Sequence, residues 1–190
     1  MTKKATTMHL EANFDIDQVG GTLEWHFERR DHDGNPITGK YAGGIYYTIG
    51  EEMRVRVKAG SRNKLASFKI LDCTLITRPQ IVEIAPKKKA KFAPPSPFIT
   101  TVTPEVVIIG ASINLPGEEF KRDGIVPPTP AGYSEIALLW NKHLTVGQNE
   151  GRWEFSFVVT VQVTPEDGPA CERVFSFDPE MDVGNGVTPP

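Results

Sequence analysis

Apolar and polar residues alternate with a period of two along most of this chain, the spacing that sends successive strand side chains to opposite faces. Met8, Leu10, Ala12 and Phe14 alternate with His9, Glu11, Asn13 and Asp15 before Gly20-Gly21 supplies a turn. Leu23, Trp25 and Phe27 then face the expected core, with Thr22, Glu24, His26 and Glu28 opposite, until Asp31-His-Asp-Gly-Asn-Pro36 breaks the pattern. These two segments predict a hairpin. The strongest alternation is Trp153, Phe155, Phe157, Val159, Val161 and Val163 against Glu154, Ser156, Thr160 and Gln162. Residues 164–170 read as its loop and 171–178 as its return strand.

Between these hairpins, 41–49, 53–58, 67–77 and 105–113 read as further strands. Residues 134–144 are ambiguous, and the spacing of Ile136, Leu139, Trp140 and Leu144 favours one or two helical turns. Residues 86–97 hold four prolines and four lysines, which excludes a central strand and predicts a linker, arm or extended edge. A second long connection is expected near 126–132, and a flexible tail over 184–190.

Composition sharpens the fold class. Val, Ile and Thr total 46 residues against 21 Leu and Ala, a ratio that suits pleated sheet over helix. Glycine contributes 17 residues and proline 16, as many short strands and turns require. The expectation is an all-β, single-domain, two-sheet antiparallel β-sandwich over 1–190, with long Pro-rich connections and at most one short helix. A closed barrel is the alternative. With 39% hydrophobic and 24% charged residues, neither wholesale disorder nor a fibrous repeat fits. The start lacks a signal-peptide core and no apolar run approaches the ~20 residues of a membrane span, so a soluble, cytoplasmic protein is expected. Cys73 and Cys171 have no metal-site spacing and read as reduced thiols, with one long-range bridge left open.

Charge is segregated along the chain. Residues 1–52 carry 5 Lys/Arg and 9 Asp/Glu, 53–91 carry 11 and 2, and 92–190 carry 5 and 13. Arg54, Arg56 and Lys58 alternate and would share one outward face of a strand. With Lys87, Lys88, Lys89 and Lys91 they form the candidate partner-binding set, for acidic ends of neighbouring copies or another acidic protein surface. Nucleic acid is disfavoured because no aromatic RNA-binding signature accompanies these cations. On the first hairpin, His9 and Glu11 would share a polar face with Glu24 and His26, a donor set that suits zinc or manganese. A solvated surface is the simpler reading of it, and no cofactor is expected. Asp31 to Asn35 begins like a calcium loop but has Pro36 where glycine is needed and Ala42 where glutamate is needed, so it reads as a turn.

Sequence motifs for catalysis are lacking: the chain has no nucleophile elbow, phosphate loop, dinucleotide fingerprint or zincin helix. Tyr133 and Trp140 are a candidate stacking platform for carbohydrate beside the Pro-rich loop. Val174-Phe-Ser-Phe-Asp178-Pro179-Glu-Met-Asp-Val183 resembles the final strand and Asp-Pro turn of bacterial inclusion-body proteins of the PixA and AidA type. That likeness spans 10 of 190 residues. It implies a compact sandwich with a storage, assembly or sugar-binding role and carries over no site residue. The expected function is therefore a non-catalytic structural or interaction protein that self-associates or docks on an acidic protein surface, as a component of a bacterial or viral assembly would, and a carbohydrate-binding β-sandwich module is the alternative.

Overall fold

The computed structural model describes residues 7–30, 45–62, 65–84, 89–102, 105–108, 111–124, 131–147, 151–178 and 180–184. Among these described residues sixteen strands follow one another. They are β1 (Thr7–Asp15), β2 (Glu24–Arg30), β3 (Ile45–Thr48), β4 (Glu52–Ser61), β5 (Leu65–Pro79), β6 (Ile81–Ile84), β7 (Lys89–Phe92) and β8 (Phe98–Val102). Then come β9 (Glu105–Ile108), β10 (Ser112–Asn114), β11 (Phe120–Arg122), β12 (Ser134–Trp140), β13 (Leu144–Val146), β14 (Gly151–Pro165), β15 (Cys171–Phe177) and β16 (Glu180–Gly184). Among the described residues the one helical element is a 3-10 turn, Gly117–Glu119.

The strands form an eight-stranded sheet A, a six-stranded sheet B and a separate β6–β7 ribbon. Strand β4 is the axis of sheet A: β1 runs parallel along one edge, while β12 and β13 share the other in antiparallel pairing. Strand β14 is the axis of sheet B, with β5 along one edge and β15 and β16 sharing the other. The expected two-sheet sandwich is therefore observed, mostly antiparallel, with parallel pairings at β1–β4 and β3–β16.

Alternation explains the core. Met8, Leu10, Ala12 and Phe14 of β1, with Met53, Val55, Val57 and Ala59 of β4, line the inner face of sheet A and are buried. Facing them, Trp153, Phe155, Phe157, Val159, Val161 and Val163 of β14 are at most 1% exposed. Burying each such side chain contributes roughly 1.5–3 kcal/mol, so β14 anchors the fold. Phe14 crosses between the layers, stacking on Phe175 at 4.4 Å and meeting Phe68 edge-on at 5.7 Å. Trp25 departs from its expected core position: it is 37% exposed at the rim, stacked on Phe177 at 5.3 Å.

Two local readings change. Residues 134–140 form strand β12, not a helix, because pairing with β4 over Ser134–Leu139 overrides a spacing that fits both structures. The second half of the Pro-rich segment is not a free arm. Pro94 accepts from the Trp153 indole at 2.7 Å, Pro95 from the Thr77 hydroxyl at 2.9 Å and Pro97 from the Gly147 amide at 2.6 Å. Proline carbonyls remain good acceptors where the ring removes the donor. The 31–36 turn, the loop over 125–130 and the tail over 185–190 lie outside the described residues.

Gly117 starts the 3-10 turn hard against the Ile70 carbonyl of β5, where an added Cβ would overlap backbone. Gly117→Ala is expected to cost ~1–3 kcal/mol through overpacking. Its urea midpoint should fall with the m-value unchanged; an unaltered midpoint would show that the turn lifts freely from β5.

Candidate functional site

The outward face of sheet A carries most of the polar residues singled out in the sequence, and strand register determines which of them meet. Pairing of β1 with β2 and β4 aligns three rows: Glu28–His9–Arg54, His26–Glu11–Arg56 and Glu24–Asn13–Lys58. The candidate metal ligands and the candidate basic strip thus interleave. Arg54, Arg56 and Lys58 do share one face, opposite Met53, Val55 and Val57, but outward there does not mean solvated.

Glu11 is the hub. Its carboxylate lies 2.8 Å from Lys58 Nζ, 3.2 Å from an Arg56 nitrogen and 3.5 Å from His26 Nε2. Arg56 also reaches Asp123 at 2.6 Å, and Lys58 reaches Glu135 at 3.3 Å. The side chains of Glu11 and Arg56 are each 8% exposed and that of Asp123 7%. Burial pushes the Glu11 carboxyl up, but Lys58, His26 and Arg56 together outweigh it and hold the group below the usual carboxylate range. Burial likewise lowers Lys58, and Glu11 and Glu135 more than reverse it.

This network corrects two expectations. Arg56 and Lys58 are engaged by carboxylates of their own chain, leaving Arg54 as the exposed member of the strip. Reversing all three charges would set new carboxylates beside Glu11, Asp123 and Glu135 and endanger the fold itself. For the metal set, Glu11 is directed at cations, and no group of three His, Cys, Asp or Glu side chains converges on a metal-sized site among the described residues. Lys87 and Lys88 lie outside the described residues. Lys89 and Lys91 are placed by their backbone on β7, in the β6–β7 ribbon.

The aromatic platform also separates. Trp140 is 4% exposed and donates its indole N–H to Glu119 at 3.0 Å, with Lys142 on the same carboxylate. Tyr133 stands at the other end of β12, about 23 Å away at strand rise. There Gly60 supplies the room, since a side chain on it would overlap the Tyr133 ring. The Tyr133 hydroxyl donates to Asp15 at 3.3 Å; burial and then Asp15 push its pKa up, so it stays a donor.

Beside this ring is a cleft of about 250 Å³ whose lining includes Asn13, Asp15, Gln18, Glu24, Tyr133 and Glu135. Asn13 presents a buried carbonyl oxygen with no hydrogen-bond partner among the described residues. Such a lining can accept and donate hydrogen bonds against one aromatic wall. Neither a family model nor a curated protein matches the chain.

Sequence reasoning missed Asp123 and Glu135. Nothing local marks Asp123, while Glu135 would have been found by reading 134–140 as a strand, where it alternates with Ile136. The cysteines are both free, Cys73 buried and Cys171 exposed. They flank β14 opposite Val159 and Val163, two strands and four residues apart, or roughly 16 Å, beyond disulfide reach. Burial pushes the Cys73 thiol well up.

The Glu11 network predicts acid sensitivity. A carboxyl held low in the folded state stabilises the protein above its unfolded value of about 4.3, and that stability is lost as pH falls through the folded value. Glu11→Gln should cost ~3 kcal/mol at pH 7, the low end for breaking a buried pair because Arg56 and Lys58 keep Asp123 and Glu135. Urea melts from pH 7 down to 3 should show a shallower acid loss in Glu11→Gln than in the native protein. Parallel curves would place the acid sensitivity elsewhere.

Proposed function

We propose that this chain is a non-catalytic interaction protein that works by associating with copies of itself, as a particle assembled in the cytoplasm. The observation that carries this reading is the outward face of sheet B. Leu71, Ile76 and Val174 account for three of the five exposed large hydrophobic residues among those described, and all three belong to β5 and β15 on either side of β14. Val174 is 57% exposed and Ile76 40%. Thr74, Val158 and Thr160 lie between them at intermediate exposure. Exposed apolar side chains grouped on one face of a small domain, here with Asp72 as the charge among them, are the kind of surface that association uses. No helix among the described residues is long and apolar enough to cross a membrane.

Light scattering across a concentration series tests the proposal. The native protein should exceed monomer mass, and Ile76→Lys with Val174→Lys should return it to monomer with an unchanged circular dichroism spectrum. Because the contact is apolar, the particle should persist in high salt. Dissociation by salt alone would move the contact to the Lys87–Lys91 segment, and a native monomer at every concentration would end the self-association reading.

The Tyr133 cleft favours carbohydrate binding as a second reading, because an unpartnered Asn13 carbonyl, the polar side chains of Asp15, Gln18, Glu24 and Glu135 and a ring suit a polyhydroxylated ligand. Glycan-array binding by the native protein that disappears in Tyr133→Ala, with stability retained, is the expected result for it. An empty array removes this reading.

A further inference from the structure

The self-association proposed above has a geometry that the charges around sheet B select. Across β5, β14 and β15 the register defines outward rows. Lys69–Gln162–Glu172 is followed by Asp72–Thr160–Val174 and then Thr74–Val158–Ser176. Beyond them Ile76 pairs with Ser156, and Arg78 with Glu154. The shift from Lys69 to Asp72 reflects a bulge between Thr160 and Val161, which leaves Leu71 as the extra, exposed residue. Charges therefore bracket the face, with Lys69 and Glu172 at one end and the Arg78–Glu154 ion pair, 2.9 Å apart, at the other, and Asp72 is the one charged residue on the rows of β5, β14 and β15 between them.

Two copies that pack this face on itself must be related by a two-fold axis lying in the contact plane, since the same patch is used twice. An axis across the strands places β5 on β5 with ends exchanged, and sets Lys69 against Arg78 of the second copy. Like charges then meet twice. An axis along β14 places β5 over β15. The row Lys69–Gln162–Glu172 then lies on Glu172–Gln162–Lys69 of the second copy, making two opposite-charge pairs across the contact. Glu154 lies on this axis and meets its own copy already paired with Arg78. The middle rows close on each other between these charged ends, Asp72 lying over Val174 of the second copy in the row next to its own Lys69, with strands aligned as sheets of a sandwich prefer.

We infer that the outward face of sheet B is a two-fold dimerisation surface whose partner is a second copy of this chain, with the axis along β14 and Lys69 paired to Glu172 across it. This rests on the self-association reading and adds its orientation. Unlike a bare apolar patch, it has at its Lys69–Glu172 end a row that is self-complementary in charge about one axis and meets like charge about the other.

A charge-swap mixture tests it. Lys69 and Glu172 are both exposed, so their replacement leaves the core intact. Lys69→Glu alone puts two glutamates together at each pair, and Glu172→Lys alone puts two lysines together. Each variant should raise the dimer dissociation constant about tenfold in sedimentation equilibrium at low salt. An equal mixture restores both opposite pairs only in the heterodimer, so its dissociation constant should return to near the native value. The double variant Lys69→Glu/Glu172→Lys should also dimerise like the native chain. If the native protein associates and the mixture stays as weak as its components, the orientation along β14 is wrong while self-association stands. A native chain that is monomeric throughout overturns both.

Discussion

The structure depends on one long pairing, β14 against β5. These two strands match from Trp153 opposite Pro79 to Pro165 opposite Leu65, and the inward residues of β14 reach the whole length of the core. A strand of fifteen residues twists strongly, and two long twisted strands rarely keep perfect register. Register shifts at Thr160/Val161 and Thr164/Pro165 relieve this. The first shift places Leu71 outside, so one of the three exposed apolar residues of the outer face follows from how the core pairing accommodates twist. Shorter strands then attach in halves: β15 and β16 share one edge of β14 as β12 and β13 share one edge of β4.

Sheet A shows why charge along a sequence is a poor guide to charge in space. Segment 53–91 is strongly basic as a string, yet Arg56 and Lys58 have β1 and β12 as neighbours, and those strands deliver Glu11 and Glu135. Parallel pairing of β1 with β4 is what brings Glu11 beside Arg56, and it joins segments 45 residues apart. A buried ion network contributes little net stability against an apolar replacement, but breaking one member is costly because the others stay buried. The network therefore acts on register. A one-residue slip of β1 would turn Leu10 outward among these charges and Glu11 into the core.

Period-two patterning made the hairpins legible: β1–β2 and β14–β15 appear with the buried faces it indicates, Trp25 excepted. Its failure at 134–144 has a physical origin, since Ile136, Leu139 and Trp140 satisfy a helical spacing and only contact with β4 decides the matter. Side-chain roles were less legible than elements. Tyr133 and Trp140 looked like a pair because they are near in sequence, but a strand separates its ends by some 20 Å, and Trp140 finds its partner in Glu119. The Tyr133 cleft needed Gly60 to be known as its floor, a contact across strands that no spacing encodes.

Association through a sheet face, not a sheet edge, is consistent with how the edges are closed. Among the described residues β2 pairs only with β1, and its outward positions carry Glu24, His26 and Glu28, charges that resist an added strand. The edge of β15 is covered in another way. Ser176 exchanges backbone hydrogen bonds with Gly21 and Leu23, and Arg173 donates to the carbonyls of Ile16 and Gln18 at 2.8 and 2.6 Å, pinning the β1–β2 turn across it. Arg173 also lies over the Phe175 ring at 4.8 Å, which holds its guanidinium in place for those bonds. With these edges charged or capped, open-ended strand addition is blocked there. The outward face of sheet B can then meet a copy of itself in a closed pair without β2 or β15 also templating a fibre.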